Sequence, residues 1–273
     1  MRLAFCFISN NVNRFHKFSE NFNYNIVDPS NTCIDSYSKY VLFNPPMPFC
    51  NRWDDWNVGW LNYTPRGAID YFSLRQASLD MAKNSEIIYI GDDDFIFQEG
   101  STKVINQCIA YMQEYRDCGA IYLGKNFGKA GKNHGEGIYI SNSGHLGTNR
   151  GILLRNRSED LLDNRLHALG ANEDFVIGFT CLLQGYYIAR RLHVPIDHSR
   201  ERNNLEEDNP NINYNLQYLR SKGIMSKINE HIGEWHDHNF WPKNIFKIYN
   251  HSARDKGWQP KYSTHGEIAC WLL

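Results

Sequence analysis

The run Glu86-Ile87-Ile88-Tyr89-Ile90-Gly91-Asp92-Asp93-Asp94-Phe95-Ile96-Phe97 constrains the fold more than any other part of the chain. A short apolar stretch bounded by polar residues, too brief for a helix, reads as a strand covered on both faces. Such strands belong to parallel sheets, whose crossover helices cover both sides. Three aspartates follow at once. Adjacent like charges repel, so they need solvent or a cation. The carboxyl end of a strand is also where α/β proteins bind ligands. Hard carboxylate oxygens at that place suit magnesium or manganese, which would in turn hold a diphosphate. A solvated acidic turn is the plain alternative.

The surrounding pattern supports an α/β fold. Leu3–Ile8 and Asn25–Val27 read as strands, and Phe43 to Tyr63 as a loop rich in proline and aromatics. Thr64-Pro65 opens a helix with Ile69, Phe72, Gln76 and Leu79 on one face, since threonine caps and proline suits the first helical position. Ser101 is expected to cap a helix whose inner face is Val104, Ile105, Cys108, Ile109 and Met112. Ala120–Leu123 and Gly151–Leu154 read as strands, while residues 124–151 carry eight of the 20 glycines and read as mostly loop. Ser158 begins a short helix through Leu162 and Leu166, and Asn172 caps another that ends at Gly185. Tyr186–Ala189 and Leu192–Val194 are late strands. Alternating strands and helices predict an α/β/α sandwich of Rossmann type with a mostly parallel sheet over residues 1–200. Residues 201–273 are expected to form a C-terminal extension packed on that core.

Composition removes several classes. The 273 residues carry a net charge of −1, which excludes a global polycation. No apolar stretch reaches membrane-spanning length, and the N-terminus reads as a first strand, so a cytoplasmic protein is expected. The seven cysteines are scattered without a Cys-x-x-Cys pair, which speaks against zinc ribbons and disulfide frameworks. The chain holds 30 asparagines, a bias expected of an AT-rich genome such as that of a phage or a low-GC bacterium.

Four features fall in a telling order. The polar residues Ser9-Asn10-Asn11 end the first strand, Arg66 and Arg75 lie on the helix before the aspartates, the aspartates follow, and Asn172-Glu173-Asp174 opens a later helix. This order resembles the nucleotide-sugar-dependent glycosyltransferases of the GT-A fold. The resemblance covers residues 1–200 and implies an Asp-x-Asp motif in which Asp92 and Asp94 bind a manganese or magnesium ion. Asp93 would join Ser9, Asn10, Asp28 and Arg75 in holding the donor, a UDP-sugar. The later acidic pair would supply catalysis. Asp174, in the first turn of a helix, is held ionised by the helix dipole and can accept a proton from an acceptor hydroxyl, with Glu173 assisting. Taken alone, the pair reads better as N-terminal helix charge compensation, and it is the aspartate cluster that turns the reading toward catalysis. The family often has a third metal ligand near the end of the fold, and His198 fits that place best, with His251 and His265 as rivals.

Residues 124–157 carry Lys125, Lys129, Lys132, Arg150, Arg155 and Arg157 against a single acid, Glu136. A basic, glycine-rich loop can close over a diphosphate or meet the phosphates of an acceptor, and it can equally be a solvated loop. Trp53, Trp56, Trp60 and Tyr63 suit stacking on a sugar or base, or anchoring of a long loop. The expected activity is transfer of a hexose, glucose foremost, to an acceptor hydroxyl, leaning toward a hydroxymethylated or glucosylated base in phage DNA. A bacterial surface-polysaccharide transferase is the alternative of the same class. A metal-dependent nucleotidyl- or phosphotransferase and a non-catalytic nucleic-acid-binding module are the alternatives from other classes.

Overall fold

The computed structural model describes residues 1–25, 34–43, 53–60, 71–124, 138–141, 149–157, 161–162, 176–178, 180–181, 184, 186–191 and 193–198. Asp28, Lys125, Lys129, Lys132, Glu173, Asp174 and the whole 201–273 extension lie outside them, as does most of the strand expected at Asn25–Val27 and of the helix expected from Ser158.

Ten strands and three helices are labelled among these residues: β1 (Arg2–Ser9), α1 (Val12–Asn21), β2 (Ser36–Phe43), β3 (Asn57–Trp60), α2 (Tyr71–Met81), β4 (Ile87–Asp92), β5 (Phe95–Phe97), α3 (Ser101–Glu114), β6 (Cys118–Gly124), β7 (Ile138–Ser141), β8 (Asn149–Arg155), β9 (Tyr187–Arg191) and β10 (Ile196–His198). Eight form one sheet in the order β3-β2-β1-β4-β8-β6-β9-β7, and β10 pairs with β5 in a two-stranded ribbon. β3, β2, β1 and β4 run parallel to one another, as do β6 and β9. β8 is antiparallel to both β4 and β6, and β7 is antiparallel to β9. The sheet is thus mostly parallel, as the sequence predicts.

Burial explains the order. Leu3 to Ile8 and Ile87 to Ile90 are all buried, as expected for central strands covered on both faces. Alternation divides their side chains between two layers. On one face Phe5, Phe7 and Tyr89 meet Phe18, Phe22 and Tyr24 from α1 and the segment after it, with Phe7–Phe18 centroids 4.6 Å apart. α3 closes the same face, where the Tyr111 and Tyr187 hydroxyls lie 2.7 Å apart. On the other face α2 sets Leu74, Ala77 and Met81 against Ile8 and Leu42. Each buried aromatic contributes about 2–3 kcal/mol through area alone.

Several elements differ from the sequence reading. α1, β2, β3 and β7 are additional, the last two inside stretches read as loop. The N-cap of α3 is Gly100 in left-handed geometry (φ 87°), and Ser101 is the first helical residue. Leu161 and Leu162 form a buried bend. Of the strand expected at Leu192–Val194, the described His193 and Val194 are not in a strand, since His193 takes φ 57°, and β10 begins at Ile196. Trp53 and Trp56 are buried, with Trp53 stacked on Phe43 at 5.4 Å, so these two anchor their loop to the core. The side chain of Trp60 and all of Tyr63 fall outside the described set.

Candidate functional site

β1 and β4 end side by side, with Ile8 in register with Asp92. The next residues, Ser9 on one strand and Asp93 on the other, therefore meet beyond the sheet edge. The Ser9 hydroxyl donates to Asp93 Oδ2 at 2.5 Å. Arg14, one turn into α1, donates through Nε to Asp93 Oδ1 at 2.8 Å, and its Nη2 lies 2.7 Å from the same oxygen. Nη2 also donates to the Asn10 side chain at 3.0 Å. Asn11 caps α1 by accepting from Arg14 N at 3.0 Å. The middle aspartate thus turns inward, 3% exposed, and binds the β1–α1 turn to the β4–β5 turn. Burial lifts its carboxyl above the usual range, while the bonds from Arg14 and Ser9 pull the other way. Burial works against the Arg14 charge, yet Asp93 and its flanking aspartates hold that guanidinium more firmly protonated than usual.

Asp92 faces the opposite layer. Arg75, 2% exposed on α2, donates through Nη2 to Asp92 Oδ1 at 3.1 Å and through Nη1 to the Gly91 carbonyl at 3.3 Å. Its Nε is buried with no hydrogen-bond partner. The Asp92 side chain stays 42% exposed, so a carboxylate fixed from below still presents oxygen to solvent. Two of the three aspartates are therefore neutralised in part by arginines drawn from α1 and α2.

The floor of this region is Tyr89. Its ring crosses above Gly91 and Gly151, where an added Cβ would come within 2.8 Å and 2.3 Å of it, and its hydroxyl donates to the Arg150 carbonyl at 2.8 Å. The antiparallel register that pairs Ile90 with Ile152 carries Arg150 to the level of Asp92. On the other side, β10 pairs His198 with Phe95, the residue after Asp94. In an antiparallel pair the facing Cα atoms are about 5 Å apart, so the backbone delivers position 198 to the aspartate turn. Ser9, Asn10, Arg75, Asp92, Asp93, Asp94, Arg150 and the backbone of His198 converge at one end of the sheet. Among the described residues, no three carboxylate, histidine or cysteine side chains gather as a ready metal cage.

No known protein family matches this sequence, and no curated protein does. Solved structures do match in fold. They include TarS residues 1–349 from S. aureus (13% identity, TM-score 0.45, 70% of this chain and 58% of that one) and the mannosyltransferase PcManGT from Pyrobaculum calidifontis in complex with GDP-Man and Mn2+ (11%, 0.40, 71% and 56%). GalNAc-T7 with UDP, GalNAc and Mn2+ matches at 8% identity and TM-score 0.50 over 81% of this chain and 47% of that one. The chain therefore spans about half the length of the structures it resembles. The fold is of the GT-A type. One of these neighbours is by its name a mannosyltransferase, and the two solved with ligands hold GDP-Man or UDP and GalNAc together with manganese.

Sequence reasoning missed Arg14, which lies 79 residues from its partner Asp93. The cap Asn11 followed by Val12, Phe15, Phe18 and Phe22 was the available signal for α1. It also missed Arg190 and Arg191, both buried near the carboxyl end of β9, at the same end of the sheet as the aspartates. Burial alone lowers the Arg190 pKa to about 10.

Proposed function

We propose that this chain is a metal-dependent glycosyltransferase that moves a hexose from a UDP-sugar to an acceptor hydroxyl. The observation that carries the reading is Asp92: a half-exposed carboxylate at the carboxyl end of the central parallel strand, held by a buried arginine, with Asp94 two residues on and position 198 paired beside the turn. This donor set fits manganese or magnesium, which favour carboxylate oxygen and tolerate imidazole. When bound, the ion supplies Lewis-acid stabilisation of charge on the departing diphosphate.

The chain's own residues divide the remaining work. Arg75 pairs with Asp92 and fixes its direction. Asp93 braces Ser9 and Arg14 so that the β1–α1 turn, with Asn10 and Asp28, can receive the nucleoside. Arg150 and the lysines of the basic loop offset diphosphate charge. Asp174, assisted by Glu173, accepts the proton of the attacking hydroxyl. Glucose as the sugar and a modified base in phage DNA as the acceptor remain the preferred choices, motivated by the basic loop and the asparagine-rich composition.

The test is a thermal-shift screen of nucleotide sugars with and without manganese. One UDP-sugar should raise the melting temperature only when manganese is present, and Asp92→Asn and Asp94→Asn should each abolish that shift. Metal-independent binding, or variants that transfer sugar as well as the parent protein in chelator, defeats the proposal.

A further inference from the structure

The opposite end of the sheet, where β1 and β4 begin, holds a groove of about 480 Å³ with an unusual charge balance. Arg2 from the start of β1, Lys83 from the α2–β4 turn, Arg116 from the α3–β6 turn and Arg155 from the end of β8 line it, against one acid, Glu86. The ordinary reason for cations here is that α2 and α3 point their carboxyl ends this way, leaving carbonyls to satisfy. Part of that need is met by Arg155 and Asn156. Arg155 donates to the carbonyls of Met112, Tyr115 and Cys118, with Nε to Cys118 O at 3.0 Å. The Asn156 amide donates to Lys83 O at 2.8 Å and Ser85 O at 2.7 Å. Arg2, Lys83 and Arg116 are surplus to this capping. All three are exposed, and among the described residues none forms an ion pair. Glu86 accepts from the backbone N–H of Arg2 at 3.1 Å. At one edge the half-buried Tyr186 ring lies 4.9 Å from the Arg157 guanidinium, which gives the groove a firm flat wall.

We propose that this groove is a second binding site, for a phosphodiester chain, remote from the aspartates. Spaced single charges from three separate elements around an open polar trough suit a ligand bearing one negative charge per unit, better than a compact multivalent anion. The three exposed cations would tether a polymer by its backbone phosphates. This inference concerns binding and needs no sugar transfer, so it stands apart from the proposed activity.

A single-stranded DNA oligonucleotide serves as the probe, titrated across sodium chloride concentrations against the full-length protein. Neutralising three phosphates on a single strand contributes about −2 to the slope of log K against log salt. The triple variant Arg2→Gln/Lys83→Gln/Arg116→Gln should make the slope shallower by that amount and weaken binding at least tenfold at low salt. Lys83→Gln alone should give roughly a third of the slope change, since one of three contacts is removed. Pyrophosphate should bind at least tenfold more weakly than the oligonucleotide and should not compete at equal phosphate concentration. The manganese-dependent thermal shift with nucleotide sugar should be the same in the triple variant as in the parent. Oligonucleotide affinity and slope unchanged in the triple variant, or pyrophosphate competing on equal terms, overturns the proposal.

Discussion

Gly151 is where a single methyl group has the most to disturb. Its φ is 120°, a conformation that side chains rarely adopt, and a Cβ there would lie 2.3 Å from the Tyr89 hydroxyl oxygen and 2.4 Å from Cζ. Gly151→Ala should cost about 2–4 kcal/mol, read as a lowered urea midpoint with unchanged m-value. Tyr89→Phe should not rescue it, because the ring carbons stay in the way. By itself Tyr89→Phe removes the hydrogen bond to the Arg150 carbonyl and should cost about 1 kcal/mol. Buried thiols make a second prediction at this scale. Burial raises the pKa of Cys6 and of Cys108 from 9.0 to about 12. The folded state therefore keeps protons that the unfolded state has begun to release. Stability from these groups is complete below pH 9 and is lost as pH rises toward 12, by about 1.4 kcal/mol per unit for each thiol. Melting temperature followed from pH 8 to 11 should fall, and less steeply in Cys108→Ala, once its neutral-pH cost is subtracted. A thiol reagent at pH 8 should leave Cys6, Cys108, Cys118 and Cys181 unmodified until the protein unfolds.

α3 illustrates how elements depend on residues far away in the chain. At its carboxyl end the carbonyls of Met112 and Tyr115 accept from Arg155 of β8. Arg155→Met should lower stability by about 2–3 kcal/mol and speed hydrogen exchange selectively in the last turn of α3, with β4 amides least affected. What the sequence made legible follows from the same distinction between local and distant causes. β1, β4, β6 and α3 were readable because their own periodicity or continuous burial decides them. β2 was not, since Ser36-Tyr37-Ser38-Lys39 is half-exposed and only Val41–Phe43 is buried. β3 and β7 are short strands at the two margins of the sheet, stabilised by a neighbour more than by their own residues. At the site, the aspartates, Arg75 and Arg150 could be anticipated from composition and order. The inward turn of Asp93 could not, because it is decided by an arginine in a helix that the pattern of asparagines concealed. The pairing of position 198 with Phe95 likewise depends on a ribbon spanning about a hundred residues.

At the scale of the molecule, β8 joins the two parallel halves of the sheet. β4 pairs with β8, β8 pairs with β6, and β4 and β6 do not pair with each other. β6 is buried throughout and β4 at every residue except Asp92. A chain ending at residue 148 would keep the sequence of every strand of the first half, yet leave β4 and β6 each with a bare apolar edge, the kind of edge that recruits other chains. Such a fragment should sediment as aggregate, while a matched fragment ending after residue 198 should remain monodisperse at the same concentration. The same geometry sets a timetable for synthesis. Everything that shapes the aspartate turn except β10 has been synthesised by residue 155, but until β8 inserts, β4 keeps a bare edge and β6, whose other partner β9 follows later, has no neighbour. A pause in translation before that strand would leave those edges exposed, and a chaperone that shields strand edges would be needed most in that interval.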